Sequence, residues 1–427
     1  MPSWHRASAR APTDPDSGYH RVWTAAAIST AGDGVFLAAL PLLAATLSRD
    51  PLRVSLVTFA GWLPWLLFGL ISGALVDRLD RRQVMWTVDT IRFALVGVLG
   101  VAVLAGWASI PLLATVGFVL GVGQTLFDNA AQSLIPALVG RDPKRLERAN
   151  SQLYGAQTVS QRFVGPPAGG FLFALAAWVP FLVDAVSFAA SATLIATIRG
   201  SFAPRRAADR PRASLRAEIA EGLRWLLAHR LLRALAVMVG LMNLATMAGQ
   251  AILVLLAQEK LGLGSAGYGL LLAGLAVGGL LGSLAATRLS RRVGTATLLV
   301  GAVMVRAGAQ LVLGIASNAL LAGAMLAVAG ATGAIFNVVG VSLRQAIVPD
   351  PLIGRVVSAF RMLGYGAVPL GALLGGVAGR ILGVRAPFLL GAAILGATGL
   401  LALPVVNNRA VRAARIAAGA APSAIDA

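Results

Sequence analysis

Long apolar runs dominate this chain and limit the folds that are open to it. Twelve such runs follow one another between short polar turns, and a bilayer core about 30 Å thick needs roughly 20 apolar residues per helix. Only 12% of the residues are charged, about half the share of a soluble domain. The sequence therefore predicts an all-α membrane protein with twelve transmembrane helices. The runs are 21–47, 54–76, 84–106, 110–139, 150–177, 179–198, 232–258, 266–289, 294–316, 319–348, 354–381 and 386–406.

The basic residues are distributed unevenly between the two sides of the predicted membrane. Most of the 36 Lys and Arg residues fall in the amino tail and in the alternate loops on its side. Loops rich in Lys and Arg stay on the inner side, so both termini are predicted to be cytoplasmic in a multi-pass inner-membrane protein. The net charge of +19 then reflects orientation, and no nucleic-acid partner is expected. The opposite loops hold only Arg49, Arg53, Lys260, Arg380 and Arg385.

One long polar interruption divides the chain into two halves. The predicted organisation is a cytoplasmic tail (1–20), a six-helix bundle (21–198), a cytoplasmic linker (199–231), a second six-helix bundle (232–406) and a tail (407–427). Within the linker, 215–227 predicts an amphipathic helix on the inner membrane surface. The halves repeat short motifs, such as Asp142-Pro143 and Asp350-Pro351. Repeated halves are typical of transporters in which one half rocks against the other, although a duplicated channel or membrane enzyme would show them too.

A tight charged hairpin joins the second and third runs. Basic residues alone would fix the orientation of such a loop, so its carboxylate predicts a specific ion pair or helix-end contact. A plain connecting loop is the alternative. Two further charges, spaced three residues apart, follow on the third run. The hairpin residues are Gly73, Asp77, Arg78, Arg81 and Arg82, and the following pair is Asp89 and Arg92.

These features resemble the major facilitator superfamily, and the resemblance covers residues 21–406. The hairpin is similar to the superfamily signature between helices 2 and 3, with Asp80 in place of the usual second glycine. The segments 31–34, 127–132 and 181–188 look most like the branch of siderophore, macrolide and multidrug exporters. The fourth run lacks the Arg that many drug–proton antiporters carry, so their proton relay does not transfer whole. The fifth run resembles the antiporter motif at Gly165, Pro166, Gly169 and Gly170.

The resemblance implies two pseudo-symmetric six-helix bundles around a central cavity lined mainly by helices 1, 4, 7 and 10. It implies that Asp77 binds the cytoplasmic end of helix 11 in the outward-open state, so that the hairpin and the Asp89/Arg92 pair form a gate. The glycines of the fifth run would pack closely against a neighbouring helix. A merely bent helix is the alternative, because Pro166 removes a helical N–H group.

Ionisable side chains lie deep within three amino-terminal runs. At about 1.5 Å per residue, Asp33, Asp128 and Arg162 lie about 17–18 Å from the cytoplasmic ends of their helices. Two carboxylates against one guanidinium leave one carboxylate free to carry a proton. Three roles stay open for this set: proton coupling, a fixed ion cluster between helices, and a counter-ion for a cationic substrate. Asp184 is expected in a structural role near the outer end of helix 6. Arg306 is expected to pair with a neighbour or to snorkel towards the membrane surface, rather than to contact substrate.

Polar and aromatic side chains on the cavity helices predict a mostly apolar cavity with scattered hydrogen-bonding groups, which suits an amphiphilic ligand. They are Phe36, Phe127, Asn129, Gln132, Asn243, Gln250, Phe336 and Asn337.

Together these patterns predict a secondary active transporter that exports a small amphiphilic compound, drug-, macrolide- or siderophore-like, by proton antiport and as a monomer. The sequence has no phosphate-binding P-loop, so ATP is not the predicted energy source. It has no Cys and no metal-spaced His cluster, so neither a cofactor nor a metal is predicted, and no nucleophile–base set predicts an enzyme. The alternatives are an uptake symporter or facilitator of the same fold and a non-transporting membrane sensor or scaffold.

Overall fold

The structure is a computed structural model that describes residues 15–76, 78–140, 142–200, 202 and 215–418. Across these residues the regular elements are α-helices, one π-helical turn and one 3-10 turn. The all-α prediction is therefore confirmed. Asp77 lies outside the described residues, as do most of the amino tail, much of the linker and the last nine residues.

Seven helices precede the linker, and six of the predicted runs fall on them. A π-helical turn, Val159–Val164, joins two of these helices into one continuous helix, which begins at Pro143 rather than at residue 150. The helices are α1 (Pro15–Leu47), α2 (Pro51–Val76), α3 (Arg81–Leu104), α4 (Ile110–Val139), α5 (Pro143–Thr158), α6 (Gly165–Leu175) and α7 (Val179–Ala196).

Nine helices follow in the described part of the linker and beyond it. The first, α8, occupies the segment where the linker predicted an amphipathic helix, and the predicted run 232–258 divides into α9 and α10. They are α8 (Leu215–Ala228), α9 (Arg230–Gln250), α10 (Leu253–Glu259), α11 (Ser265–Val293), α12 (Thr295–Ile315), α13 (Ala319–Ile347), α14 (Ile353–Leu382), α15 (Ala386–Ala402) and α16 (Asn408–Ala417).

Ten helical segments in the described residues are long and apolar enough to cross a membrane. They include α1, α3, α4, α7, α9 with α10, and α11 to α14, together with residues Pro51–Gly69 of α2. The continuous helix from α5 to α6 is not among them, and α15, with 17 residues, is a shorter apolar helix. A polytopic membrane protein is thus supported, and the count of twelve crossings stays a prediction.

Short polar side chains fix where several helices begin. Asp80 caps α3, because its Oδ1 accepts hydrogen bonds from the backbone N–H groups of Arg82 (3.0 Å) and Gln83 (3.2 Å). Such a cap satisfies N–H groups that have no partner within the helix. Asp142 caps α5 in the same way at Lys144 (3.0 Å). The residue that departs from the superfamily signature, Asp80, therefore has a local structural reason.

The helices before and after the linker meet mainly along two pairs, α2 with α14 and α6 with α11. At one end of the first pair, a side chain on Gly376 of α14 would collide with Ser55 of α2, and Arg380 lies 3.7 Å from Asp50. Farther along, the rings of Trp65 and Tyr365 are 5.6 Å apart. Small residues thus let the two parts of the chain approach closely at the end where α2 begins.

Candidate functional site

A buried guanidinium and carboxylate on α3 form the centre of the candidate site. Asp89 and Arg92 are 0% and 2% exposed, and their side chains approach to 3.5 Å between Oδ1 and Nη1. Residues three apart on a helix lie on one face, which is why the pair can form. Ser191 of α7 donates its hydroxyl to the other carboxylate oxygen of Asp89 at 2.6 Å. The pair is therefore held from a second helix.

Gln124 connects this pair to Asp128 on α4. Its Oε1 accepts from Nη2 of Arg92 at 3.0 Å, and its Nε2 donates to Oδ1 of Asp128 at 2.9 Å. The rings of Phe127 and Phe188 lie 5.4 and 5.2 Å from the guanidinium carbon of Arg92. Aromatic faces attract such a cation. Asp128 itself is half-buried.

Two more carboxylates, Asp33 of α1 and Asp184 of α7, complete the acidic cluster. Asp33 is within electrostatic range of Arg92, Asp89 and Asp128, and Asp184 is within range of Asp33 and Arg92. Asp184 is 1% exposed, and its Oδ2 has no hydrogen-bond partner among the described residues. Four carboxylates on four helices therefore lie within electrostatic range of Arg92.

Asp184, predicted near the outer end of helix 6, is the sixth residue of α7, and its side chain is fully buried. Its side chain packs against Gly32 of α1, where a Cβ atom would collide with Asp184 and Ser187. Because Gly32 has no side chain, the carboxylate of Asp184 fits against α1. The Ser187 hydroxyl donates to the backbone carbonyl of Asp184 at 2.8 Å. The position of Asp184 along the sixth predicted helix, which is α7, does not indicate that its side chain faces α1.

Arg162 does not take the place predicted for it. It is exposed on the π-helical turn and forms no ion pair with the residues that the structure describes. The guanidinium beside the carboxylates is Arg92, which the sequence predicts as part of the gate. The same depth rule could have found it, because Arg92 lies about 16 Å from the start of α3. Depth does not give rotation about the helix axis, and the π turn changes that rotation.

The hairpin arginines contact the amino-terminal part of the chain. Arg82 donates to the carbonyls of Ala196 (2.6 Å) and Ile195 (3.3 Å) at the end of α7, and Arg81 donates to the carbonyl of Phe202 (3.3 Å). Cations stabilise the carbonyl-rich end of a helix. Arg78 is exposed, and Gly73 lies beside Asn129. The resemblance implies that Asp77 binds the cytoplasmic end of the eleventh predicted helix, which is α14, but Asp77 is outside the described residues.

The glycines of the fifth run lie at close helix contacts. A Cβ atom on Gly165 would collide with the backbone of Gly34 in α1, and one on Gly169 would meet Val35. Gly170 faces α11, where a Cβ atom would come within 3.1 Å of the Cα atom of Gly269. The structure thus places the motif, including the buried Pro166, between α1 and α11.

A cavity of about 300 Å³ opens between α9, α12, α13 and α14. Three predicted cavity residues line it, namely Asn243, Phe336 and Asn337, whereas Gln250 lines a smaller neighbouring pocket. Its three arginines were not predicted as cavity residues: Arg306, Arg344 and Arg361.

The other predicted cavity residues lie elsewhere. Phe36 packs on Phe181 with ring centres 5.8 Å apart, and Phe127 covers Arg92. Asn129 donates to the hydroxyl of Ser72 at 2.9 Å, and Gln132 is exposed. These four therefore belong to the surroundings of the acidic cluster and of α2 and α4, and none of them lines the 300 Å³ cavity.

The known sequences that this chain resembles are membrane transport proteins. The profile of the transmembrane secretion effector family, one of the major facilitator families, matches residues 7–421. The multidrug efflux pump Tap of Mycolicibacterium fortuitum is 30% identical over 380 residues, which cover 86% of this chain and 90% of that protein. The macrolide efflux protein A of Streptococcus pyogenes is 24% identical over 159 residues, covering 37% and 38% of the two chains.

Solved structures share the fold at low sequence identity. The nucleoside transporter NupG superposes with a TM-score of 0.72 and 12% identity, covering 91% of this chain and 98% of that one. A bacterial homologue of the iron transporter ferroportin in its inward-facing state gives a TM-score of 0.71 and 19% identity, covering 91% and 98%.

Proposed function

Because the chain belongs to the transmembrane secretion effector family of the major facilitator superfamily, we propose that it is a secondary active exporter driven by proton antiport. The observation that carries the proposal is the acidic cluster of Asp33, Asp89, Asp128 and Asp184 around Arg92. Charges inside a membrane segment are costly and generally mark ion or substrate pathways. The efflux names of the relatives support export, and the cluster supports protons as the coupling ion.

Proton uptake is assigned to Asp33 and Asp128. Both are half-buried, whereas Asp89 and Asp184 are fully buried, so the first two are more accessible to solvent. Arg92 attracts the ionised form of each carboxylate, and competition for this one cation leaves a carboxylate able to take up a proton. A proton that enters from outside would reset the transporter after the substrate has left.

Alternating access is proposed to use the contacts between the two parts of the chain. With both termini cytoplasmic and twelve crossings in two six-helix bundles, the closely packed end at Ser55 and Gly376 would face outward. The structure would then represent a state closed to the outside. Opening would separate α2 from α14 and α6 from α11 at this end, as one bundle rocks against the other.

A small amphiphilic drug-, macrolide- or siderophore-like compound is the proposed substrate, carried by a monomer in the cytoplasmic membrane. The second candidate is an uptake symporter of the same fold, since the acidic cluster itself gives no direction. A fixed ion cluster without proton exchange is the alternative role for the carboxylates.

Everted membrane vesicles test the proposal directly. Vesicles with an acidic lumen, supplied with a panel of radiolabelled drugs that includes a macrolide, should accumulate substrate and lose it when the pH gradient is collapsed. Asp33→Asn and Asp128→Asn should abolish the dependence on the gradient. Glu147→Gln, at an exposed position of α5, is the matched control and should behave as the wild type. Undiminished coupling in both Asn variants would reject the assignment.

A further inference from the structure

The cavity between α9, α12, α13 and α14 is strongly basic. Its lining includes three arginines and no acidic residue among the residues that the structure describes. Between residues 230 and 418 the sequence contains only two acidic residues, Glu259 and Asp350, and neither lines the cavity. The acidic residues of the apolar runs are thus confined to the amino-terminal half, and the cavity arginines to the other half.

Arg306 is a buried cation without a carboxylate partner in the described residues. It is 6% exposed, and its guanidinium donates to the Thr246 hydroxyl (2.9 Å from Nη2) and to the carbonyl of Ala329. These are neutral acceptors. A buried charge without an opposite charge is costly, so the site lacks a negative group that would complete it.

Arg344 and Arg361 present two further guanidinium groups to the same cavity. The Arg344 guanidinium carbon lies 4.4 Å from the ring centre of Phe360, and that of Arg361 lies 5.8 Å from the ring centre of Tyr365. A cation–π contact of this kind leaves the guanidinium N–H groups available as hydrogen-bond donors. Within the described residues neither side chain forms a hydrogen bond or an ion pair.

The three arginines are arranged at different depths. Arg344 lies in the last turn of α13, Arg361 lies about 12 Å into α14, and Arg306 lies about 16 Å into α12. Aromatic side chains, Phe336, Phe360 and Tyr365, line the space between them. The cavity therefore combines a path of positive charge with apolar walls, which fits an amphiphile that carries a negative group.

We propose that this cavity binds the anionic group, such as a carboxylate or phosphate, of an amphiphilic substrate, with Arg306, Arg344 and Arg361 as its ligands. This proposal rests on the proposed function, since the bound amphiphile is a substrate only if the protein is an exporter. Arg361 also lies within electrostatic range of Asp128 across the two halves. A bound anion would compete with this carboxylate for Arg361, which links the substrate site to a proton-carrying residue.

Binding of two matched probes to the full-length protein in phosphatidylcholine nanodiscs tests the proposal. The probes are radiolabelled 2-naphthoate and 2-naphthamide, which share the ring system and differ in charge. The wild type should bind the carboxylate about tenfold or more tightly than the amide, since hydrogen bonds to charged groups are the strong ones. Arg344→Gln and Arg361→Gln should each remove most of this preference, and Arg344→Lys should keep part of it.

Arg292→Gln is the control, because Arg292 is an exposed residue in the last turn of α11 outside the cavity; it should retain the wild-type preference. Equal affinity for the two probes, or no binding of either, would overturn the proposal. Displacement of 2-naphthoate by added phosphatidylglycerol would also overturn it, in favour of a lipid headgroup as the occupant. Gradient-driven export in vesicles is measured separately. Loss of the probe preference with intact export would reject only the anion site, and absence of export with an intact probe preference would reject only the exporter proposal.

Discussion

Replacement of Arg92 by methionine removes the guanidinium that the carboxylates of α3 and α4 share. Asp89 would then keep a buried negative charge with only the Ser191 hydroxyl as a partner. The side chains of Arg92 and Asp89 are 3% and 0% exposed, so water screens their interaction little. Breaking a buried ion pair by removing one partner costs about 3–5 kcal/mol, and the lost bond to Gln124 adds about 1 kcal/mol.

The double variant Asp89→Asn/Arg92→Met separates the charge effect from the packing effect. It removes both charges, and replacing a buried ion pair by neutral groups is often close to neutral for stability. We therefore expect Arg92→Met to lower the free energy of unfolding by about 4–6 kcal/mol. The double variant should recover part of that loss, since Asp89 no longer carries an unpaired charge while Asp33, Asp128 and Asp184 still lack the guanidinium. The measurement is reversible unfolding by sodium dodecyl sulfate in mixed micelles, followed by tryptophan fluorescence.

Arg53→Met serves as the matched control, because Arg53 and Asp50 have the same i, i+3 spacing but Arg53 is 68% exposed. Exposed pairs contribute about 0–1 kcal/mol. A loss in Arg92→Met no larger than that of the control would refute the account of a tightly paired buried cluster. The single variant Asp89→Asn is measured as well. A double variant whose loss equals the sum of the losses in Arg92→Met and Asp89→Asn would also refute the account.

Three further outcomes are expected. Gly165→Leu should prevent a folded monomeric peak in detergent gel filtration, since a side chain there collides with the α1 backbone, whereas Gly155→Leu, with no atom near its Cβ position, should elute normally. The natural chain has no Cys, so Ser55→Cys/Gly376→Cys should form a disulfide that blocks export until reduced, unlike Leu66→Cys/Gly376→Cys. Partial burial lowers the pKa of His229 from its ordinary 6.5, and its neutral Nδ1 caps α9 at Leu232 (3.4 Å). The unfolded chain then binds the proton more readily, so the stabilisation from this cap should be lost as the pH falls below 6.5, and the thermal unfolding temperature of His229→Asn should change less between pH 8 and pH 5.

The helices could be predicted from sequence because apolar length alone determines them. Each predicted run falls on a helix or on adjoining helices, and the break between α6 and α7 lies where the pattern changes at residues 177–178. The interruption of the seventh run at Ala251 and Ile252 was not predictable, since both residues are apolar. Hydropathy reports which residues avoid water, and it does not report where the backbone changes direction.

The site was predicted less well than the fold, because it depends on which way each side chain faces. Depth along the helix selected Asp33 and Asp128, which lie within electrostatic range of Arg92. It failed for Arg162, which faces away, and it did not indicate that Asp184 is buried against Gly32 of α1. The arginines of the 300 Å³ cavity were not predicted for a related reason: each lies on a different helix, and their shared cavity forms only after four helices pack.

The π-helical turn at Val159–Val164 has a consequence for the two segments that it joins. A π turn corresponds to one additional residue in an α-helix, and each helical residue rotates the chain by about 100°. The faces of α5 and α6 are therefore out of phase by that angle. This offset lets the charged side of α5 meet water while Gly165 and Gly169 point at α1. Deleting a single residue from the turn would bring α5 and α6 into phase. The charged side of α5 could then no longer face water while Gly165 and Gly169 face α1.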